Sequence, residues 1–282
     1  MQVYELKLKS IQYRRSILEM IKTSGAGHTG GSLSCVDVLN VLYNHVMHID
    51  PANPRDPDRD RYIQSKGHAV EALYAVLAGK GFFPESDLKT LNRYQSPYIG
   101  HPTRSVNGIE QNTGALGHGL SLAVGTALAA KLDGKAFRVY TLLGDGELAE
   151  GSSWEALMSA AHYKLDNLTI IIDRNRLQIT GSTESVNALE PLELKFAAFG
   201  AAVRQCDGND IEALVEVFNM LPFEVGKPSL IIANTVKGKG ISFMEDTVKW
   251  HHRVPTEDEY IKALEELDAQ EAALKAVADG TR

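Results

Sequence analysis

Only two cysteines, Cys35 and Cys206, occur in 282 residues, and they lie far apart in sequence. That usage gives no disulfide framework and suits a reducing cytoplasm. Long apolar runs are missing too: none approaches the roughly 18 residues that a membrane span requires. Positive charge is in deficit, with 29 Lys and Arg against 36 Asp and Glu and a net charge of −7. This leaves no basic footprint for nucleic acid. Met1 to Lys9 is charged and lacks an apolar core, so no secretory signal is expected. A Gly-Lys-Ser/Thr phosphate loop is absent, which removes the common nucleotide-binding reading. No internal repeat or low-complexity tract appears. What is present is a 44% hydrophobic chain of mixed charge. It is long enough for one large α/β domain or two small ones.

Tyr4, Leu8, Ile11, Leu18 and Ile21 recur at helical spacing and predict a helix over 4–22 that stops at Gly25. Gly25 to Ser32 contains the dinucleotide pattern GxGxxG, which is credible only after a strand. Here it follows a helix, so the segment reads as a flexible, Gly-rich loop carrying His28. A second helix is expected over 34–46, a short strand at 62–65 and a third helix through Val70, Leu73, Tyr74 and Leu77. Residues 92–113, rich in Tyr, Pro, Gly and Asn, predict a long loop, and such loops are more often functional than idle. A small-residue helix follows at 120–132. From Ala136 the pattern alternates, with strands near 137–143, 168–173, 201–206 and 229–234, and helices at 152–163, 190–199 and 209–220. The expected fold is a doubly wound α/β domain, a mostly parallel sheet with helices on both faces, over residues 1–255. Residues 256–282 read as an acidic C-terminal helix or tail. Tyr260, Leu264, Leu267, Leu274 and Ala278 form a short seam there, broken by Glu271.

Gly144-Asp145-Gly146 closes the apolar run Val139 to Leu143, and Asp173-Arg174-Asn175 closes the run Leu168 to Ile172. A lone Gly-Asp-Gly is usually a turn. Two strand ends that each offer an oxygen ligand suit a hard cation such as Mg²⁺ held against phosphates. Ligands collect outside the carboxyl ends of strands in such sheets. Leu177, two residues past Asn175, could add its backbone carbonyl.

His28, His68 and His101 each sit beside glycine or proline outside any apolar periodicity, and His251-His252 follows Trp250. Each alone has an ordinary surface or capping explanation. A zinc site is disfavoured: the gaps are 40 residues (28 to 68) and 33 residues (68 to 101), and no cysteine joins them.

Gly27-His28 with Gly30, Asp58-Arg59-Asp60-Arg61, Gly67-His68, Gly100-His101-Pro102, Gly114-Ala115-Leu116-Gly117 and Gly144-Asp145-Gly146 with Glu150-Gly151 occur in order. Together, from about residue 10 to 255, they resemble the N-terminal, diphosphate-binding domain of a transketolase. The resemblance implies thiamine diphosphate as cofactor, with Mg²⁺ or Ca²⁺ held by Asp145, Asn175 and the Leu177 carbonyl. It implies that His68, Gly114, Ala115, Leu116, Gly144, Asp145, Gly146, Glu147 and Asn175 line the cofactor. His28, His101, and His251 or His252 would face substrate hydroxyls and move protons. Glu150, with Glu155, would match carboxylates that relay protons between paired sites, although acids at a helix start need no such role.

Three departures from the family pattern stand out: Arg174 before Asn175, Thr29 after His28, and His118 where glutamine is common. Nothing after Pro255 resembles the family's pyrimidine-binding domain. The expectation is therefore a split enzyme: an N-terminal subunit transferring a two-carbon ketol unit, completed by a C-terminal subunit with the pyrimidine-binding domain, as a dimer of heterodimers. The alternatives are a 1-deoxyxylulose-5-phosphate synthase-like or 2-oxo-acid dehydrogenase-like component, or a non-catalytic cofactor-binding half. The Gly-His-Pro segment and Glu150 favour transketolase.

Overall fold

Helix α1 (Val3–Ser24) buries Leu6, Ile17, Leu18 and Ile21 and stops at Gly25, whose left-handed φ of 68° lets its N–H reach the Ile21 carbonyl. The computed structural model describes residues 1–278 and 280. Helix α2 (Thr29–Val41) is buried along its whole length and runs into a π-helical turn, Leu42–Val46. The expected second helix therefore starts five residues early, at Thr29 rather than 34, and Thr29 to Ser32 are its buried first turns, not a flexible loop. Glycine is needed there because a Cβ on Gly30 would lie 2.8 Å from the Trp250 carbonyl oxygen. Close packing has overridden low helix propensity.

The chain continues through β1 (Arg61–Gln64), α3 (Val70–Lys80), α4 (Gly119–Leu132), β2 (Val139–Gly144) and α5 (Gly151–His162). It then passes β3 (Leu168–Arg174), the two-residue strands β4 (Leu177–Gln178) and β5 (Gly181–Ser182), and the short α6 (Thr183–Val186). Last come α7 (Leu192–Ala198), β6 (Ala202–Asp207), α8 (Ile211–Asn219), β7 (Ser229–Asn234) and α9 (Glu257–Ala278). Five strands form one parallel sheet in the order β1-β2-β3-β7-β6, as expected for a doubly wound domain. The β4–β5 hairpin is too short to have left a sequence pattern.

Alternation along β3 builds the three layers. Ile171 joins the core under α1, α2, α3 and α8, whereas Leu168, Ile170 and Ile172 join the core under α4, α5 and α7. Because the sheet is parallel, β1, β2, β3 and β7 all end on the same edge, and Gly144 of β2 lies beside Asp173 of β3. Helix α9 buries Ala263 and Leu267, and Asp268 and Glu271 pair with Arg15 of α1. The seam thus faces the chain's own first helix, and Glu271 has a partner remote in sequence. Of the expected tail, Asp279, Thr281 and Arg282 lie outside the described residues.

Candidate functional site

Four strand ends empty into one cavity of about 500 Å³. The segments after them supply about half of its wall: Lys66 and His68, Asp145 to Glu147, Asn175 and Leu177, and Lys237. Asp145 is 2% exposed. Its Oδ1 accepts from the Gly146 N–H at 2.8 Å, and its Oδ2 accepts from the Arg176 N–H at 2.5 Å and the Arg174 guanidinium at 3.2 Å. Burial and neighbouring Asp173 raise its pKa, and these donors oppose the rise. Arg174 also binds Glu184 and Glu190, at 2.9 Å each.

Beneath the wall, Asp173 is fully buried and pairs with Lys66. Burial alone would raise the Asp173 carboxyl, but the ammonium, Ser34 and Thr235 hold it below the usual carboxylate range. Asn175 donates to Asp173 at 3.3 Å and accepts at its Oδ1 from the Leu177 N–H at 3.2 Å. Lys237 reaches the same corner: its Nζ donates to the Leu177 carbonyl at 2.9 Å and lies 2.8 Å from His251 Nδ1. Burial and then Lys66 lower its pKa to about 8. An ammonium donating to Nδ1 leaves the ring proton of His251 on Nε2.

Glu147 is a brace between segments. Its carboxylate accepts from the Ser65 hydroxyl after β1, the Gly117 N–H before α4 at 2.9 Å, and the Gly144 N–H at the end of β2 at 2.9 Å. Burial raises its pKa, against those three donors.

The rim is a cluster of imidazoles. The His28 ring centroid lies 5.0 Å from that of His68, 5.8 Å from His251 and 4.6 Å from His252, and His68 stacks on His251 at 5.7 Å. Burial is the largest cause in each case, followed by neighbouring rings and lysines. It pulls His28 to about 4, His68 to about 2 and His251 to about 3. All three are neutral at pH 7, so each ring offers one donor and one acceptor.

Of the residues named from sequence, His28, His68, Gly114, Leu116, Gly144, Asp145, Gly146, Glu147, Asn175, Leu177 and His251 line the cavity. His252 is exposed behind His28. Three stand off the wall: Ala115 and Glu150 are exposed, and His101 is exposed with its ring against Gly114, where a Cβ would come within 2.5 Å. Sequence reading missed Lys66, Lys237 and the hairpin residues Gln178, Ile179 and Thr180. The two lysines follow strand ends β1 and β7, so the logic that found Asp145 and Asn175 could have found them.

The donor set fits a metal-bound diphosphate. Asp145, Asn175 and the Leu177 carbonyl each carry an oxygen and line the same cavity, and oxygen donors are the hard chemistry that Mg²⁺ or Ca²⁺ takes. Lys66 and Lys237 put positive charge on the same wall. Gly31 and Gly144 keep it open: a Cβ on either would meet no atom nearer than 3.7 Å and 3.8 Å, respectively, and would stand in the cavity they line. Such a corner can bind an anion through a cation, while the imidazole rim can pass protons to hydroxyl or carbonyl oxygens.

Residues 7–273 match the family described as "Transketolase, thiamine diphosphate binding domain". The chain is 48% identical over 267 residues to an apulose-4-phosphate transketolase subunit of Phocaeicola vulgatus, covering 95% of each chain. It is 44% identical over 272 residues to 6-deoxy-6-sulfo-D-fructose transketolase subunit SqwG of a Clostridium species, covering 96% of this chain and 99% of the relative. Among solved structures, transketolase from Campylobacter jejuni superimposes with a TM-score of 0.85 at 32% identity, over 98% of this chain and 48% of that one. The chain thus spans nearly the full length of subunit-type relatives and about half of the solved transketolase.

Proposed function

The chain belongs to the transketolase family, as a thiamine diphosphate-binding domain, and from that premise we propose that it is the N-terminal subunit of a two-subunit transketolase. The enzyme moves a two-carbon ketol unit from a ketose, or ketose phosphate, to an aldose, or aldose phosphate. The observation that carries this reading is the single cavity shared by the oxygen donors of Asp145, Asn175 and Leu177 and the neutral imidazoles of His28, His68 and His251.

When bound, thiamine diphosphate supplies an electron sink for breaking and making the carbon–carbon bond. The chain's own groups bind and orient. Asp145, Asn175 and the Leu177 carbonyl would hold Mg²⁺ or Ca²⁺ against the diphosphate, with Lys66 and Lys237 balancing its charge. His68, Gly114, Leu116, Gly144, Gly146 and Glu147 would form the cofactor side of the site, with Ala115 exposed behind Gly114 and Leu116. His28 and His251 on the rim, with His101 just outside it against Gly114, would face substrate hydroxyls, where a ring can accept a proton at one nitrogen or donate from the other.

The partner is a separate chain carrying the pyrimidine-binding domain. Support comes from relatives of matching length whose names call them subunits. Two such pairs would join into a dimer of heterodimers through the outer face of α4 and α5, where Leu122, Leu132 and Met158 are exposed. Glu150 and Glu155 lie exposed at the start of α5 and would relay protons to a second copy across that face. Two free thiols support a cytoplasmic setting, and among the described residues no helix is long and apolar enough to cross a membrane.

The test is ketol transfer by the purified chain with thiamine diphosphate and Mg²⁺, with and without the partner chain. Activity should need both chains. Substantial turnover by this chain alone would overturn the two-subunit reading.

A further inference from the structure

Helix α3 runs behind the histidine rim and grips two of its loops. Glu71 is 1% exposed, and no ion pair reaches it among the described residues. Its carboxylate instead accepts from the backbone N–H of His28 at 3.2 Å and from the Ser32 hydroxyl at 2.8 Å. The loop lies directly on it: a Cβ on Gly27 would come within 2.6 Å of Glu71 Oε1. Three residues on, Tyr74 is fully buried, and its hydroxyl donates to the carbonyls of Ile99 at 3.1 Å and His101 at 3.3 Å. Residues i and i+3 share one face of a helix. His68 lies in the 3-10 turn that leads directly into the same helix. One rigid element therefore fixes the backbones that carry His28, His68 and His101.

Neither Glu71 nor Tyr74 belongs to the cavity wall, so neither is placed to touch a ligand. A buried carboxylate without a cation is costly to keep, and an apolar residue would fill its place without that cost. Its position is explained by what it holds.

We propose that Glu71 and Tyr74 are positioning residues that set the place of His28, on the cavity rim, relative to His101, which lies just outside the wall against Gly114, and so determine which hydroxyls of a bound sugar the two imidazoles meet. The proposal rests on the reading of His28 and His101 as the substrate-facing histidines. Removing either grip weakens sugar recognition while leaving cofactor retention intact. It acts through loop placement, so an isosteric acceptor at 71 restores it.

Two measurements test this, one of them independent of activity. In the free chain, amide hydrogen exchange at His28 should speed up at least about tenfold in E71M and stay within about threefold of wild type in E71Q. With the partner chain, thiamine diphosphate and Mg²⁺, and ribose 5-phosphate as acceptor probe, KM should rise about tenfold in E71M and in Y74F. In both, kcat should hold within about threefold, and E71Q should restore KM. E71M should also be at least as stable as wild type, which a merely structural role for Glu71 would not allow. Unchanged exchange and unchanged KM in E71M and Y74F would overturn the proposal. H28A separates the two layers: if it leaves KM and kcat untouched while exchange still responds to E71M, the substrate-facing reading fails and the grip remains.

Discussion

The floor and the rim of the cavity follow opposite electrostatic plans. On the floor, charges interlock: Lys66 with Asp173, Arg174 with Asp145, Glu184 and Glu190. On the rim, His28, His68 and His251 meet ring to ring, with no carboxylate bonded to their rings among the described residues, and their pKa values are pulled to about 4, 2 and 3. A floor of paired charges can exchange one cation for another and hold an anion. A rim of neutral rings offers one donor and one acceptor nitrogen per ring through neutral pH. If the proposed roles hold, binding and proton transfer fall to two regions of one cavity with different electrostatics.

The comparison breaks most severely at Asp145. D145A should cut thiamine diphosphate affinity in the presence of Mg²⁺ by more than about a thousandfold, read by titration calorimetry. If cofactor binding persists unchanged, the floor is misassigned. The rim should show the converse. H28A should lower kcat/KM of the assembled enzyme by about a hundredfold while cofactor affinity holds within about threefold. Parallel loss of both would merge the two regions into one.

Arg174 sharpens the contrast. R174M leaves a buried Asp145 without its cation, which should destabilise the ligand-free chain by about 3 kcal/mol in denaturant unfolding. Mg²⁺ with thiamine diphosphate should recover most of that loss, because a metal would then neutralise the same carboxylate. No recovery would mean that Arg174 serves the Glu184–Glu190 segment alone.

Glu71 gives the smallest effect and a pH signature. Burial pushes its carboxyl up to about 7, with its own backbone, Ser32 and the His28 N–H opposing. A folded-state pKa above the unfolded value gives stability that is present at low pH and lost as pH rises through about 7. The polar groups facing Glu71 are Ser32, the His28 loop and Tyr74. Of these, the His28 imidazole titrates at about 4 and burial holds the Tyr74 phenol well above its ordinary value, so neither changes charge near 7. Gln cannot ionise, so the stability of E71Q relative to wild type should improve by about 2 kcal/mol between pH 5.5 and 7.5. The histidines, whose lowered values act in the opposite direction below pH 6.5, cancel in that difference. A flat difference would remove Glu71 from the titrating groups.

Much of the floor was legible because strand ends are legible. An apolar run that stops at Gly-Asp-Gly or Asp-Arg-Asn marks both a β-strand and an oxygen at its carboxyl end, so the places of Asp145 and Asn175 on the cavity wall were legible. Lys66 and Lys237 obeyed the same rule but looked like ordinary lysines, since nothing local signals that a lysine will be 1% exposed. Arg174 was visible as an oddity without a role, because its partners at 184 and 190 follow a turn with no periodicity. The rim was less legible. His28 drew attention through its glycines, yet those glycines begin a buried helix pressed against Trp250 rather than a loose loop. Glu71 and Tyr74 read only as helix positions, because what they hold arrives from segments 25 or more residues away.

The three-way brace at Glu147 has a thermodynamic consequence for ligand binding. Because one carboxylate already ties the ends of β1 and β2 to the turn before α4, these walls do not have to be organised when a ligand arrives. Association then carries little ordering entropy from the host, and its heat-capacity change should report the contact surface rather than a folding event. Cutting one strand of the brace should leave the contacts intact and make their formation slower and entropically steeper.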